Sequence, residues 1–360
     1  MAAPTFYTLT ISDIRKPSAG STALKFAIPD ELNEQFAFEP GQYLTLRADI
    51  ENQDIRRSYS ICSSQTDTGL EVGIKQVEEG MFSNFATTLK VGDTLRVMPP
   101  QGRFTAPIDP SQSNHYLLLA AGSGITPCLS IAKSVLEQEP DSQITLVYGN
   151  QSTATVMFRE DINALKDLHT DRLRLFYALS REPSDLEFLN GRLNGKMVAK
   201  LCEKNLIDLN SFDVAYICGP HEMIEDVRGA LRSLHMEEER IKVELFTTGG
   251  PPPPRVAAGP TQSKTAQGIG VDIILDGKRN SIQMDPNAET VLSAAQGAGL
   301  DLPFSCAGGM CCTCRCKIVE GEAVMDVNYS LQDWEIEAGF TLACQSRPTS
   351  KNLVLDFDAS

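Results

Sequence analysis

The chain has 360 residues, of which 42% are apolar and 22% charged, and a formal net charge of −15 at pH 7. This length exceeds what one hydrophobic core usually supports, so we expect two or three domains. The acidity argues against a nucleic-acid partner, because nucleic-acid binders present basic patches. It fits a merely solubilising surface as well as electrostatic steering toward a basic protein.

Two further features concern membranes and secretion. The longest apolar stretch, residues 116–121, falls far short of the roughly 20 residues that a membrane helix needs. The first residues show no basic segment followed by an apolar run, which a secretion signal would require. We therefore expect no membrane partner and a cytoplasmic location.

Residues 1–108 predict a strand-rich domain. Six apolar segments are separated by Gly, Pro and Asp signals: TFYTLTISDI, STALKFAI, YLTLRADI, RRSYSICSS, LEVGIKQV and DTLRVMPP. Short strands at even spacing favour a closed antiparallel β-barrel.

Residues 109–248 change to a rhythm of strand and helix. The buried strands would be HYLLLAAG, ITLVYGN, LRLFYALS and DVAYICG, with amphipathic segments between them. Continuous apolar strands that alternate with helices predict an α/β domain with a parallel sheet.

A Pro/Gly-rich stretch over 249–268 contains four consecutive prolines and indicates a linker. The segments GVDIILDG and RNSIQMDP then predict a hairpin, followed by a helix near 288–298 and the strands CRCKIVEG and KNLVLDFDA. Residues 269–360 therefore form a small α+β domain in this interpretation.

The cysteines of this last region carry the most specific signal. Cys306, Cys311, Cys314 and Cys344 fit the C-x₄-C-x₂-C…C spacing of plant-type [2Fe–2S] sites. A structural zinc site is the alternative, although zinc sites more often pair two short Cys knuckles. Gly308 and Gly309 would bring backbone N–H groups close to the sulfurs.

Two cysteines of the same region are left over. Cys312 lies between two of the predicted ligands, where inert packing is the favoured interpretation, and Cys316 alternates with Cys314 along a strand, which indicates the core. Their roles stay open.

Three segments of the first two domains suggest phosphate and ring binding. Arg57-Ser58-Tyr59-Ser60 combines a guanidinium, an aromatic face and hydroxyls. The stretch from Gly80 through Phe82 to Ser83 by itself favours a plain strand-to-helix turn, although the N–H groups that open a helix can also face a pyrophosphate. The third segment, Gly122-Ser-Gly124-Ile-Thr126-Pro127, follows a buried strand, with Thr126 as a possible N-cap and Pro127 at the first helical position.

These motifs stand in the order typical of one family. The chain resembles the ferredoxin–NADP reductase superfamily, with a plant-type [2Fe–2S] ferredoxin domain of the β-grasp type at its C-terminus. The segments IRRSYSICSS, VMPPQGRF, AAGSGITP and NYSLQDWEIEAGFTLACQS are similar to the reductase components of phenylacetyl-CoA epoxidases.

The resemblance implies three cofactors: FAD, a [2Fe–2S] cluster and NADPH. It makes residues 1–108 the flavin domain and residues 109–248 the nicotinamide domain. The flavin-binding residues that it implies are Arg57, Ser58, Tyr59, Ser60, Lys75, Val77, Gly80, Phe82 and Ser83.

For the nicotinamide cofactor, the resemblance points to the ends of several strands. Ser180 and Arg181 would hold the 2′-phosphate of NADPH, with Arg159 a weaker candidate for the same end, and no acidic residue stands there to select NADH. The remaining residues that it implies are Gly122, Gly124, Thr126, Pro127, Cys218, Gly219 and Pro220. The catalytic set would be Tyr59, Ser60, Cys218, Glu244 and Phe246.

The function that follows is transfer of electrons from NADPH, through flavin and cluster, to the oxygenase component of a multicomponent monooxygenase. The chain has no E-x-x-H pair, so any di-iron site would belong to other proteins of the system. Another protein acceptor, such as a fatty-acid desaturase or a hybrid-cluster protein, is an alternative. So are a stand-alone quinone or small-molecule reductase and a redox-sensing interaction protein.

Overall fold

The computed structural model describes residues 5–184, 186–245, 268–285 and 290–359. The linker prediction falls almost wholly outside these residues, as does Phe246. The chain divides into two compact units: one comprises Thr8–Ile55 and Tyr59–Gly249, and the other comprises Met1–Tyr7, Arg56–Ser58 and Gly250–Ser360. In the described residues, the helices are all too short or too polar to cross a membrane.

The N-terminal strands form a six-stranded sheet with the order β4-β3-β6-β1-β2-β5. An antiparallel bridge between Ile61 and Val72 joins the chain just after β4 to β5, which closes the sheet edge to edge. The predicted antiparallel barrel is confirmed. Its strands are β1 (Tyr7–Arg15), β2 (Ser21–Ala27), β3 (Tyr43–Ile50), β4 (Gln53–Ser60), β5 (Leu70–Lys75) and β6 (Thr94–Gln101), and helix α1 (Met81–Phe85) follows β5.

The next domain is a five-stranded sheet with the order β11-β10-β7-β8-β9, in which every pair of neighbours is parallel. Residues 116–120 of its central strand are all buried, because helices cover both faces. The predicted α/β domain is confirmed. Its strands are β7 (His115–Ala121), β8 (Gln143–Asn150), β9 (Leu173–Leu179), β10 (Val214–Gly219) and β11 (Ile241–Leu245), and its helices are α2 (Ile125–Gln138), α3 (Arg159–Leu168), α4 (Gly195–Glu203) and α5 (His221–Ser233).

The C-terminal domain has a mixed sheet with the order β13-β12-β18-β14-β16 and a separate two-stranded pair, β15 with β17. The predicted hairpin is present, but β12 also pairs in parallel with β18, the last strand of the chain. The elements are β12 (Ile269–Leu275), β13 (Lys278–Met284), α6 (Val291–Gly297), β14 (Arg315–Glu320), β15 (Ala323–Met325), α7 (Asp333–Glu337), β16 (Phe340–Leu342), β17 (Ser346–Pro348) and β18 (Asn352–Asp356).

The turn after β7 comes unusually close to the end of β10. A Cβ atom on Gly124 would lie 2.2 Å from the carbonyl oxygen of Cys218 and 2.9 Å from the backbone nitrogen of Gly219. Both distances are far below van der Waals contact, so only glycine allows the two segments to approach this closely.

We predict that Gly124→Ala lowers the free energy of unfolding by about 1–3 kcal/mol, because backbone atoms that cannot rotate away must shift. Gly229→Ala is the matched control, since Gly229 lies in α5 with open space around its Cβ position. We expect that change to stabilise the helix by about 0.5–1 kcal/mol. Thermal unfolding of the two variants checks both; equal midpoints would contradict the steric argument.

Candidate functional site

Three of the predicted catalytic residues lie together at the carboxyl ends of the parallel strands. Pairing of β10 with β11 places Cys218 beside Glu244. Ser60, the last residue of β4, donates a hydrogen bond from Oγ to Glu244 Oε2 at 3.2 Å. The close approach of Gly124 to Cys218 brings the turn after β7 to the same place.

The two titratable groups of this cluster are both poorly solvated. Desolvation raises the pKa of Glu244 from its ordinary 4.5 to about 8, and the hydrogen bond from Ser60 only partly offsets it. Desolvation, with the Glu244 charge as a second cause, raises the pKa of the Cys218 thiol. Desolvation therefore favours the neutral forms of the Glu244 carboxyl group and of the Cys218 thiol.

The aromatic part of the predicted flavin site is also assembled. The Tyr59 ring lies 5.6 Å from that of Phe82, centroid to centroid, and Phe82 is buried. Gly80 precedes α1 as its N-cap, as predicted. The Ser83 hydroxyl donates to the carbonyl of Gly80 and accepts from the N–H of Val77, so it holds the two turns together.

The other predicted flavin-binding side chains differ in how they are held. The Arg57 side chain is exposed, and its Nη1 donates to the Arg56 carbonyl at 2.7 Å. Ser58 donates from Oγ to Ser305 Oγ at 2.8 Å, within the same compact unit. Lys75 ends β5, and its Nζ would lie 3.5 Å from a Cβ on Gly122.

The turn after β7 corrects two details of the sequence interpretation. A 3₁₀ turn over Gly122–Gly124 runs directly into α2, which begins at Ile125 with Gly124 as its N-cap. Thr126 is therefore the second helical residue and not the N-cap, and Pro127 is the third helical residue and not the first. The Thr126 hydroxyl donates to the Ser123 carbonyl instead. The sequence did not reveal that the glycine turn itself winds into the helix.

Ser180 and Arg181 line a cavity of about 330 Å³ at the end of β9. Arg192, which the sequence interpretation missed, lines the same cavity together with Gln151 and Gly191. A backbone hydrogen bond from Gly191 N to Leu179 O brings Arg192 to this cavity. Because this contact forms only when the chain folds back onto β9, the local sequence carries no signal for Arg192. The described residues supply no carboxylate partner to either guanidinium, Arg181 or Arg192.

Arg159 lines a second cavity. This cavity of about 780 Å³ is also lined by Arg15 and Lys16, and it is not the cavity of Ser180 and Arg181. Arg159 starts α3, and the preceding residue Phe158 has a left-handed φ of 58°.

The predicted cluster ligands stand as two pairs of thiols. Hydrogen bonding with Cys311 lowers the pKa of Cys306, and hydrogen bonding with Cys314 lowers the pKa of Cys344. Gly308 N donates to Cys306 Sγ at 3.3 Å, as the glycine pattern predicted. Of the described side chains, no three or more His, Cys, Asp or Glu meet the geometry of a single-metal site. Two thiols for each of two irons is the ligation of a [2Fe–2S] cluster, so the residues fit that group.

The two remaining cysteines of the loop occupy different surroundings. Cys316 is fully buried in the core of the domain, and burial raises the pKa of its thiol. Cys312 is partly exposed and has a left-handed φ of 55°, so it marks the turn between two ligands.

Three family models match the chain in the order of its domains. They are an oxidoreductase FAD-binding domain over residues 8–106, an oxidoreductase NAD-binding domain over 118–229 and a 2Fe-2S iron-sulfur cluster binding domain over 273–349. Fold and site thus define an oxidoreductase that combines flavin, nicotinamide and [2Fe–2S] domains in one chain.

Curated relatives match over nearly the whole length. The chain is 39% identical to one of the subunits of 1,2-phenylacetyl-CoA epoxidase from Escherichia coli, covering 99% of this chain and 98% of that protein. It is 33% identical to the ferredoxin reductase component of a 3-ketosteroid-9-alpha-monooxygenase from Rhodococcus rhodochrous, covering 97% and 96%. The chain belongs to this family of reductase components of multicomponent oxygenases.

A solved structure shares the fold. Phthalate dioxygenase reductase matches with a TM-score of 0.59 and 22% identity over 99% of this chain and all of that one. A self-sufficient cytochrome P450 monooxygenase matches with a TM-score of 0.66 and 24% identity, over 97% of this chain and 41% of the larger one.

The raised pKa of Glu244 predicts a pH effect on stability. Below about pH 4.5 the carboxyl group is protonated in both states, and between 4.5 and 8 the folded state keeps a proton that the unfolded state loses. Stability from this group therefore falls as pH rises through that window and levels off above about pH 8. We expect Glu244→Gln to flatten the decline in thermal midpoint over this window. Glu225→Gln, an exposed carboxylate on α5, is the control and should follow the unaltered protein.

Proposed function

We propose that this protein is an NADPH-dependent reductase that passes single electrons to a di-iron oxygenase, namely that of a phenylacetyl-CoA epoxidase. The observation that carries the proposal is that one chain holds both the Ser60–Glu244–Cys218 cluster and two pairs of thiols with [2Fe–2S] spacing. The relative from the 1,2-phenylacetyl-CoA epoxidase of Escherichia coli supports the choice of acceptor.

The bound groups would supply hydride acceptance at FAD and one-electron chemistry at the [2Fe–2S] cluster. The protein's own residues prepare the site for a neutral ring system. Tyr59 offers an aromatic face and packs against the buried Phe82, Ser60 hydrogen-bonds to Glu244, and the small side chain of Cys218 is buried. Surroundings of this kind, with little charge and little water, suit hydride transfer because they limit side reactions with solvent.

Preference for NADPH over NADH rests on the cavity of Ser180, Arg181 and Arg192. Two guanidinium groups and a hydroxyl are the donors that a 2′-phosphate requires. The rim residues named there include no carboxylate that would select the two ribose hydroxyls of NADH.

Replacing one cluster ligand tests the proposed electron transfer. We expect Cys344→Ser to lose iron and to abolish reduction of the purified phenylacetyl-CoA epoxidase oxygenase component, while NADPH still bleaches the flavin absorbance at near the original rate. Iron analysis and stopped-flow absorbance measure the two effects.

Cys312→Ser is the matched control for this variant, because Cys312 lies in the same loop but outside the two thiol pairs. It should keep its iron and its activity toward the oxygenase. Loss of flavin reduction in a folded Cys344→Ser protein would contradict the assignment of the two chemistries to separate sites.

Charge removal tests the coenzyme preference. We expect Arg181→Ala and Arg192→Ala each to lower kcat/KM for NADPH by about 10- to 100-fold, the cost of a lost charged hydrogen bond, with little change for NADH. Arg174→Ala, at an exposed arginine near the opposite end of β9, is the control. Parallel losses with both coenzymes would show that these arginines do not read the 2′-phosphate.

A further inference from the structure

Helix α7 presents one face to the protein and the opposite face to solvent. An α-helix turns by 100° per residue, so Glu335 lies on one side of α7, while Asp333 and Glu337 lie on the opposite side. Trp334 and Ile336 lie at the two flanks of that opposite side. Glu335 is fully buried, whereas the other four residues are exposed. We call these four residues, Asp333, Trp334, Ile336 and Glu337, the α7 face.

The apolar part of the α7 face is large and held in place. Trp334, the single tryptophan of the chain, is 57% exposed, and Ile336 is 42% exposed. The indole Nε1 donates to Gln332 Oε1 at 2.7 Å, which restricts the orientation of the ring. A fixed, exposed tryptophan loses little conformational entropy when a partner covers it, and tryptophan is enriched among residues that dominate binding energy.

The polar part of the α7 face is acidic. The carboxylates of Asp333 and Glu337 make no ion pair with any residue in the described ranges. Residues 269–360 contain thirteen acidic and six basic residues, so the surrounding field is also negative. A partner protein that has a basic rim around an apolar pocket would therefore be attracted to this acidic face.

The α7 face is tied to the cysteine loop at two points. Ser330, which lies just before the helix, donates from Oγ to the Gly309 carbonyl at 3.2 Å. The buried Glu335 pairs with Arg315, the neighbour of Cys314, at 2.9 Å. A partner seated on the α7 face would thus rest on elements that are anchored to the loop between Cys306 and Cys314.

We propose that the α7 face is the docking surface for the protein electron acceptor, and that this acceptor contributes an apolar pocket for Trp334 within a basic rim. The inference rests on the proposed function, since it names the contact through which that acceptor is served. The occupant is the oxygenase component, rather than a second copy of this acidic chain, because two acidic faces would repel each other.

The test is steady-state reduction of the purified phenylacetyl-CoA epoxidase oxygenase component by the full-length holoenzyme. Trp334→Ala should raise the KM for that component by at least about tenfold, as expected for a central aromatic contact, with kcat little changed. Trp334→Phe should recover part of the loss. Val319→Ala, a 58% exposed apolar residue on β14, is the control and should leave the KM unchanged.

Charge is tested by a matched pair of double variants. Asp333→Asn with Glu337→Gln should raise the KM and weaken its dependence on salt, because the steering charges are gone. Glu320→Gln with Glu322→Gln removes two exposed carboxylates of the same domain outside the α7 face and should change neither quantity. Ferricyanide reduction and the iron-sulfur absorbance should stay constant in all variants, which separates docking from folding and from chemistry.

The outcomes separate the two proposals. An unchanged KM in Trp334→Ala, in a protein that reduces the oxygenase normally, would overturn the α7 face and leave the proposed function standing. Equal effects of the two double variants would overturn the claim of a basic rim. Failure of the unaltered holoenzyme to reduce the oxygenase would overturn the proposed function, and the docking partner with it.

Discussion

The close approach of the turn after β7 to the end of β10 is the constraint on which the larger compact unit depends. Gly124 stands so near to the Cys218 carbonyl that no side chain fits between the two segments. Parallel pairing then sets Glu244 beside Cys218, and the hydrogen bond from Ser60 joins the barrel to that pair. Together these contacts gather residues from distant parts of the chain.

This gathering has an electrostatic consequence. Because the strand ends and the barrel exclude water from the cluster, burial favours the neutral forms of both Glu244 and Cys218. Glu244 and Cys218 therefore add little charge where the flavin-binding and nicotinamide-binding domains meet. The guanidinium groups of Arg181 and Arg192 line a separate cavity, where a phosphate would need them. The desolvated groups and the paired arginines thus occupy two different places on one sheet.

The C-terminal domain holds sulfur atoms in pairs. Its loop uses backbone N–H donors such as that of Gly308, and hydrogen bonding between thiols lowers the pKa of one member of each pair. Since metals bind thiolates, such a loop is prepared for ligation. The ion pair between Arg315 and the buried Glu335 connects the loop to α7, whose apolar and acidic face is exposed to solvent.

The sequence alone determined the domain order, the strand-and-helix rhythm and most of the candidate residues. Those features depend on local periodicity, on glycine turns and on cysteine spacing, all of which are written in short stretches of chain. Tertiary structure decided the rest. Four findings depend on which distant segments pack together. They are the start of α2 at Ile125, the position of Arg192 beside Ser180, the position of Arg159 in a second cavity, and the parallel pairing of β12 with β18. Local patterns do not encode such contacts, because the chain must fold back on itself before they exist.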